Sequence, residues 1–148
     1  MTAQFKLTLL RCDSSDPLAD FFDARASVSR RGSTGETAFT VAGRDLHAFV
    51  TDARRIQQAP GAKALLTGGW DAEKRLRLQI SRVGSSDAFE ARVSIVSDDQ
   101  ANDLRAVTAA EFGTSPDALS RFLTDIQHLV ERRLLGDATL DGDADAHP

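Results

Sequence analysis

The sequence predicts an α+β fold, an antiparallel sheet of about six or seven strands with two amphipathic helices packed on one face. Three observations carry that prediction. Several stretches alternate apolar and polar residues with period two, two others repeat apolar residues at helical spacing, and the links between alternating stretches are short and rich in glycine or serine. The 148 residues, 41% hydrophobic and 27% charged, have the balance of one globular domain with one core.

Taken in order, Phe5, Leu7 and Leu9 alternate with Lys6 and Thr8 in a first half-buried strand. The turn-forming run Asp13 to Asp20 follows, and Ala24, Ala26 and Val28 resume the alternation. Two glycines in the run Arg31 to Glu36 then lead into Thr37 to Val41, so the second and third strands make a hairpin. From Arg44 the period changes. Leu46, Phe49, Val50, Ala53 and Ile56 fall on one helical face, and Pro60-Gly61 ends that helix at about Gln58.

Lys63 to Thr67 reads as a short strand before the Gly68-Gly69-Trp70-Asp71 turn. Leu76, Leu78 and Ile80, then Phe89, Ala91, Val93 and Ile95, give the two cleanest alternations, joined by a hairpin-length loop. Leu104 to Phe112, rich in alanine, is read as a further strand. Ser115, Pro116 and Asp117 have the cap, first-turn proline and acidic residue of a helix start. Leu119, Phe122, Leu123, Ile126, Leu129 and Val130 form its apolar stripe, Arg132 and Arg133 suit its last turn, and Gly136 is read as its stop. The domain is thus expected over 1–136, with 137–148 a disordered acidic tail whose removal would leave the melting temperature nearly unchanged.

The two helices echo one another. LHAFVTDARRI from Leu46 and LSRFLTDIQHL from Leu119 match at Leu, Phe, Thr and Asp with an offset of 73, which Phe39 and Phe112 share. An offset near half the chain length points to two strands-then-helix repeats. The competing reading is that any two core-facing helices agree at Leu and Phe, which leaves Thr51/Thr124 and Asp52/Asp125 as the discriminating matches.

Charge narrows the partners. Net charge is −4, and the four aspartates after Gly136 account for all of it, so the remainder is neutral. A neutral body lacks the basic face that nucleic acid requires. No stretch approaches the roughly 18 to 20 apolar residues of a membrane helix. A single cysteine, Cys12, cannot form an internal disulfide framework, and a reducing cytoplasm is the expected compartment. The excess of arginine over lysine is the compositional habit of a high-GC bacterial genome.

No residue pattern announces catalysis, a metal or a cofactor, and none is expected. His47 and His128 lie off the apolar stripes of their helices, and His147 lies in the tail. Cys12 beside Arg11 has no histidine partner in a recognisable signature. Gly32-Ser33-Thr34-Gly35 lacks the lysine and following helix of a phosphate loop. Asp141, Asp143 and Asp145 open like a calcium loop but lack its glycine and terminal glutamate. The candidates for a partner surface are Trp70, on the Gly-Gly turn, whose competing reading is a plug for the end of the core, and the outward arginines Arg75, Arg77 and Arg92 of the paired strands, accompanied by Arg82, whose competing reading is a solvated sheet face. The alternative is a small-ligand-binding protein or enzyme with a pocket between sheet and helices, in which Arg30, Arg31, Arg75 and His47 would hold an anion.

The layout of TAFTVAGRDLHAFVTDARRI in the first half, with KRLRLQISRVGSSDAFEARVSIV leading to SPDALSRFLTDIQHLV in the second, resembles small bacterial immunity proteins of the WapI type over about residues 4 to 135. The resemblance implies a cytoplasmic protein that binds and neutralises a toxin without catalysis of its own. The expected partner is therefore a protein, with neither nucleic acid nor membrane involved. A homodimer is compatible with this expectation.

Overall fold

The strand alternations read above are realised as long, mostly one-sided ribbons. A computed structural model of the chain describes residues 2–16, 19–30, 32–59, 63–69, 75–83, 88–99 and 104–143. Its elements are β1 (Thr2–Asp16), β2 (Ala19–Arg30), β3 (Ser33–Ala42), α1 (Gly43–Gln58), β4 (Lys63–Gly68), β5 (Leu76–Arg82), β6 (Phe89–Asp99), β7 (Leu104–Thr114), α2 (Pro116–Glu131) and β8 (Gly136–Asp143). The expected α+β class holds, with eight strands in two antiparallel groups of four, β3-β2-β1-β8 and β7-β6-β5-β4. The two groups are joined by one bridge, Gly113 of β7 to Asp143 of β8. At the far ends of the strand order, the Gly69 N–H donates to the Thr40 carbonyl at 3.4 Å, so the two outermost strands also approach one another.

Two expectations are corrected here. Residues 137–143 are not a disordered tail: they form most of β8, which pairs with β1 from Thr2↔Asp143 to Leu9↔Gly136. Ala138 and Leu140 are fully buried, and Lys6 lies 3.9 Å from Asp137. The acidic side chains kept this strand from being read as one, although alternation survives in Ala138 and Leu140. Asp141 and Asp143 accordingly lie on a paired strand, and Asp141 accepts a hydrogen bond from the Gln4 amide at 2.9 Å. Residues 144–148, with Asp145 and His147, lie outside the described residues.

The second correction concerns the end of α2, where Gly136 is the first residue of β8 and not the helix stop. The helix closes earlier, with Arg132 as its cap and Arg133 in the left-handed region at φ 52°. Leu134 N–H reaches the Leu129 carbonyl at 2.9 Å and Arg133 N–H the Val130 carbonyl at 3.3 Å, the paired bonds of a Schellman closure. An arginine tolerates this backbone less readily than glycine. Its guanidinium is held by Asp20 at 2.9 Å, and that hydrogen bond, with the attraction of the same carboxylate, keeps its pKa above the ordinary value.

The 73-residue echo extends to the whole layout. Adding 73 to the bounds of α1 gives those of α2. Each half runs three strands, a helix and a fourth strand, but the fourth strands are exchanged: β4 pairs with β5 of the second half and β8 with β1 of the first. Two contacts join residues that are themselves 73 apart, as a local two-fold axis requires. Arg54 donates to Gln127 at 3.4 Å between the helices, and Gly35 lies flat against the Thr108 side chain. The helices rest on the exchanged strands, α1 on β4 and α2 on β8, and on each other.

One apolar cluster fills the space between strands and helices. It takes Phe5, Leu7 and Leu9 from β1, Leu76, Leu78 and Ile80 from β5, and the stripes of both helices. The Phe5 and Phe122 rings meet edge to face at 6.0 Å, a geometry that adds to the gain from burial alone. Cys12 is half-buried against this cluster, in keeping with a packing residue.

Candidate functional site

Because successive strand residues face opposite sides, the residues alternating with the core face outward. On β5 these are Arg77 and Gln79, on β6 Arg92 and Ser94, and on β7 Ala109 and Glu111. The register sets Arg77 opposite Ser94 and Gln79 opposite Arg92, then Arg92 opposite Glu111 and Ser94 opposite Ala109. Directly opposed side chains of this kind are within contact reach. Ala109 is too small to fill its place, and the surface there is a trough.

The far wall comes from the first half. The β2–β3 hairpin turns at Gly32, whose φ of 81° suits a residue without a side chain, and Arg30 pairs with Ser33 across it. This is the hairpin reading of the glycine pair and not a phosphate loop. The hairpin crosses over the second half, where the Ser97 hydroxyl donates to the Glu36 carbonyl. Arg30, with its Nε shielded from solvent, thereby joins Arg77, Gln79, Arg92, Ser94 and Glu111 around a cleft of about 490 Å³.

The three arginines are not equivalent. Arg92 is engaged on both sides, by Glu90 at 2.8 Å and Glu111 at 3.4 Å. The hydrogen bond that Arg92 donates to Glu90 is the main cause of its raised pKa, with the charge of Glu111 next. Arg30 also has an engagement of its own. Arg77, by contrast, has no side-chain partner among the described residues, and the same holds for the half-buried side chains of Gln79 and Ser94 beside it. A cation and two neutral polar groups are thus left open in a concave site, an arrangement suited to an anion with lone pairs to share.

Of the residues assigned from sequence to a partner surface, Arg77 and Arg92 are brought together in this cleft. Arg75 lies two residues along the same face and takes other contacts. Trp70 lies outside the described residues. The alternative anion set is dispersed: Arg30 reaches the cleft, His47 is exposed on α1 across the core from it, and Arg31 lies outside the described residues. The cleft sits on the side of the sheet away from the helices, so the expected pocket between sheet and helices is replaced, for Arg30, by one on the opposite face. The part played by Arg30 was missed as a partner residue because only the crossing of the hairpin brings it there.

No group of metal-ligating side chains occurs among the described residues, and no described helix is long and apolar enough to cross a membrane. Comparison with family models, with curated proteins and with solved structures gives no match to the chain.

Proposed function

We propose that the chain is a cytoplasmic protein-binding module of the immunity type, which sequesters a protein partner such as a toxin and has no catalysis of its own. The observation that carries this reading is the open Arg77 in a cleft on the outer sheet face, with the opposite face committed to the core. Such a face offers electrostatic complementarity to an acidic partner without bulk positive charge. The described lining residues include no histidine or cysteine, and the one carboxylate among them, Glu111, is ion-paired with Arg92.

A second reading draws on the volume of the cleft. About 490 Å³ lies within the range of small-molecule sites, so a small anionic ligand or substrate is the rival. Affinity capture from the native host, using the tagged chain and its Arg77→Glu variant side by side, separates the two. The module reading expects a partner identified by mass spectrometry, retained by the parent and lost from the variant, that rebinds when purified. Recovery of no protein partner, together with turnover of a metabolite by the purified chain, would reject it.

A further inference from the structure

We infer that the cleft recognises a single carboxylate, the side chain of a glutamate or aspartate in an extended segment of the partner, with Arg77 as its ion-pairing residue and Gln79 and Ser94 as flanking donors. This inference rests on the module reading and specifies what its surface grips.

The charge count selects the ligand. Arg92 is neutralised by Glu90 and Glu111, and Arg30 has an engagement of its own, which leaves Arg77 as the lining guanidinium without a side-chain partner among the described residues. One planar fork with five donors matches one planar carboxylate. A phosphate at neutral pH carries close to two charges and is best held by several cations. Here it would also meet the fields of Glu90 and Glu111, the second of which lines the cleft. The donors flanking Arg77 are neutral, so they add directed hydrogen bonds without asking for a second negative charge.

Shape selects the context of that carboxylate. The trough crosses β5, β6 and β7, roughly 10 Å at ordinary strand spacing, which is longer than a lone acid needs. Ala109 keeps its floor low, and Arg30 closes it on one side only. An extended peptide can lie along it with one acidic side chain turned down onto Arg77.

The corresponding surface of the other half does not share this chemistry. Subtracting 73 from Arg77 and Gln79 of β5 leads to Gln4 and Lys6 of β1, and the place of Arg92 opposite Glu111 is taken by Arg25 opposite Ala38. Gln4 is bonded to Asp141 and Lys6 is paired with Asp137. Arg25, on the outer face of β2, is paired with Glu36 at 3.2 Å, so Arg25→Gln provides a control that removes a surface arginine from outside the cleft.

The test is a titration of the full isotope-labelled chain, followed by nuclear magnetic resonance, with a blocked five-residue peptide carrying one central glutamate between glycines. The peptide should shift the Arg77 Nε–H, Gln79 side-chain amide and Ser94 backbone signals saturably, and its glutamine counterpart should not. Arg77→Gln should weaken the peptide by about tenfold or more, as expected for losing a charge-assisted pair, whereas Arg25→Gln should bind like the parent. An unchanged spectrum of backbone amides away from the cleft shows that each variant is folded. Equal binding of the glutamine peptide, binding indifferent to Arg77→Gln, or displacement of the peptide by inorganic phosphate at lower concentration would overturn the inference, the last in favour of a phosphate site. If host capture yields a partner whose retention is insensitive to Arg77, the carboxylate site falls and the module reading stands. If the peptide binds as expected but the host yields no protein partner and the purified chain turns over a metabolite, the site stands and the module reading falls.

Discussion

The two halves of the molecule share a backbone plan but divide the work. In the first, β1 to β3 carry outward groups that are largely spent within the chain, Lys6 on Asp137 and Arg25 on Glu36. In the second, β5 to β7 place Arg77, Gln79 and Ser94 outward without side-chain partners among the described residues. The helices differ as well. α2 is capped by Ser115, whose hydroxyl accepts from the Ala118 N–H at 3.1 Å, while the corresponding position before α1 is Ala42 and gives no side-chain cap. Equivalent positions thus keep the apolar pattern that the core demands, while caps and outer faces diverge. Repetition constrains the inside of this fold and leaves the outside to specialise.

The largest test of that comparison is removal of residues 136–148. If the fourth strands are truly exchanged, the loss of β8 strips eight register partners from β1 and uncovers Phe5 and Leu7. A thermal melt of the truncated chain should show no cooperative transition. A melt like that of the parent would mean that β8 is dispensable and the exchanged pairing is incidental.

Next come Phe49→Ala and Phe122→Ala, equivalent positions in α1 and α2 that are both buried. Each should cost about 3 to 5 kcal/mol in chemical denaturation, because a large ring is removed from packed surroundings. The two losses should agree within about 1 kcal/mol if the sites are equivalent. A several-fold disparity would break the equivalence.

Glycines at the exchanged strands sharpen it. Gly68 faces the Phe39 ring, and Gly142 faces the Phe112 ring and the Gly113 carbonyl oxygen. Alanine at position 142 meets backbone that cannot turn aside, so Gly142→Ala should cost about 1 to 3 kcal/mol by overpacking. Gly68→Ala displaces only a ring and should cost less. The reverse order in paired denaturant melts would show that the Phe112 side packs more loosely than its counterpart.

The smallest expected effect is at the cap. Ser115→Ala should lower stability by about 1 kcal/mol, the usual loss for a hydroxyl cap. No such loss is available at Ala42. A neutral Ser115→Ala would mean that Pro116 and the burial of Leu119 suffice to start α2.

Legibility followed the strength of local pattern. Leu76, Leu78 and Ile80, and Phe89 to Ile95, alternate without interruption, and the structure buries those positions. The helices carried stripes and terminal signals that agreed with one another. By contrast, β8 has only Ala138 and Leu140 to mark its inner face among three aspartates and two glycines. What makes it a strand is the waiting edge of β1, 137 residues away at the Gln4–Asp141 bond. Glycine in Gly136 suggested a stop, yet the left-handed residue is Arg133, held from outside the helix by Asp20. Arg77 and Arg92 were readable as outward residues of adjoining strands. Their meeting with Arg30 depends on where a hairpin crosses, and no local window contains that information.

The exchange of β4 and β8 has a consequence for how the chain is made. During synthesis β1, β2 and β3 emerge before the other five strands, but the partner that seals the open side of β1 is the last of the eight to leave the ribosome. At ordinary rates of about 5 to 20 residues per second, that delay is on the order of ten seconds. Throughout it Phe5, Leu7 and Leu9 line a strand with one unpaired edge, the kind of surface that other chains can join. Completion of the fold is thereby tied to completion of translation through β8. Pausing of translation ahead of β8, or truncation before Asp143, would expose the same edge for longer.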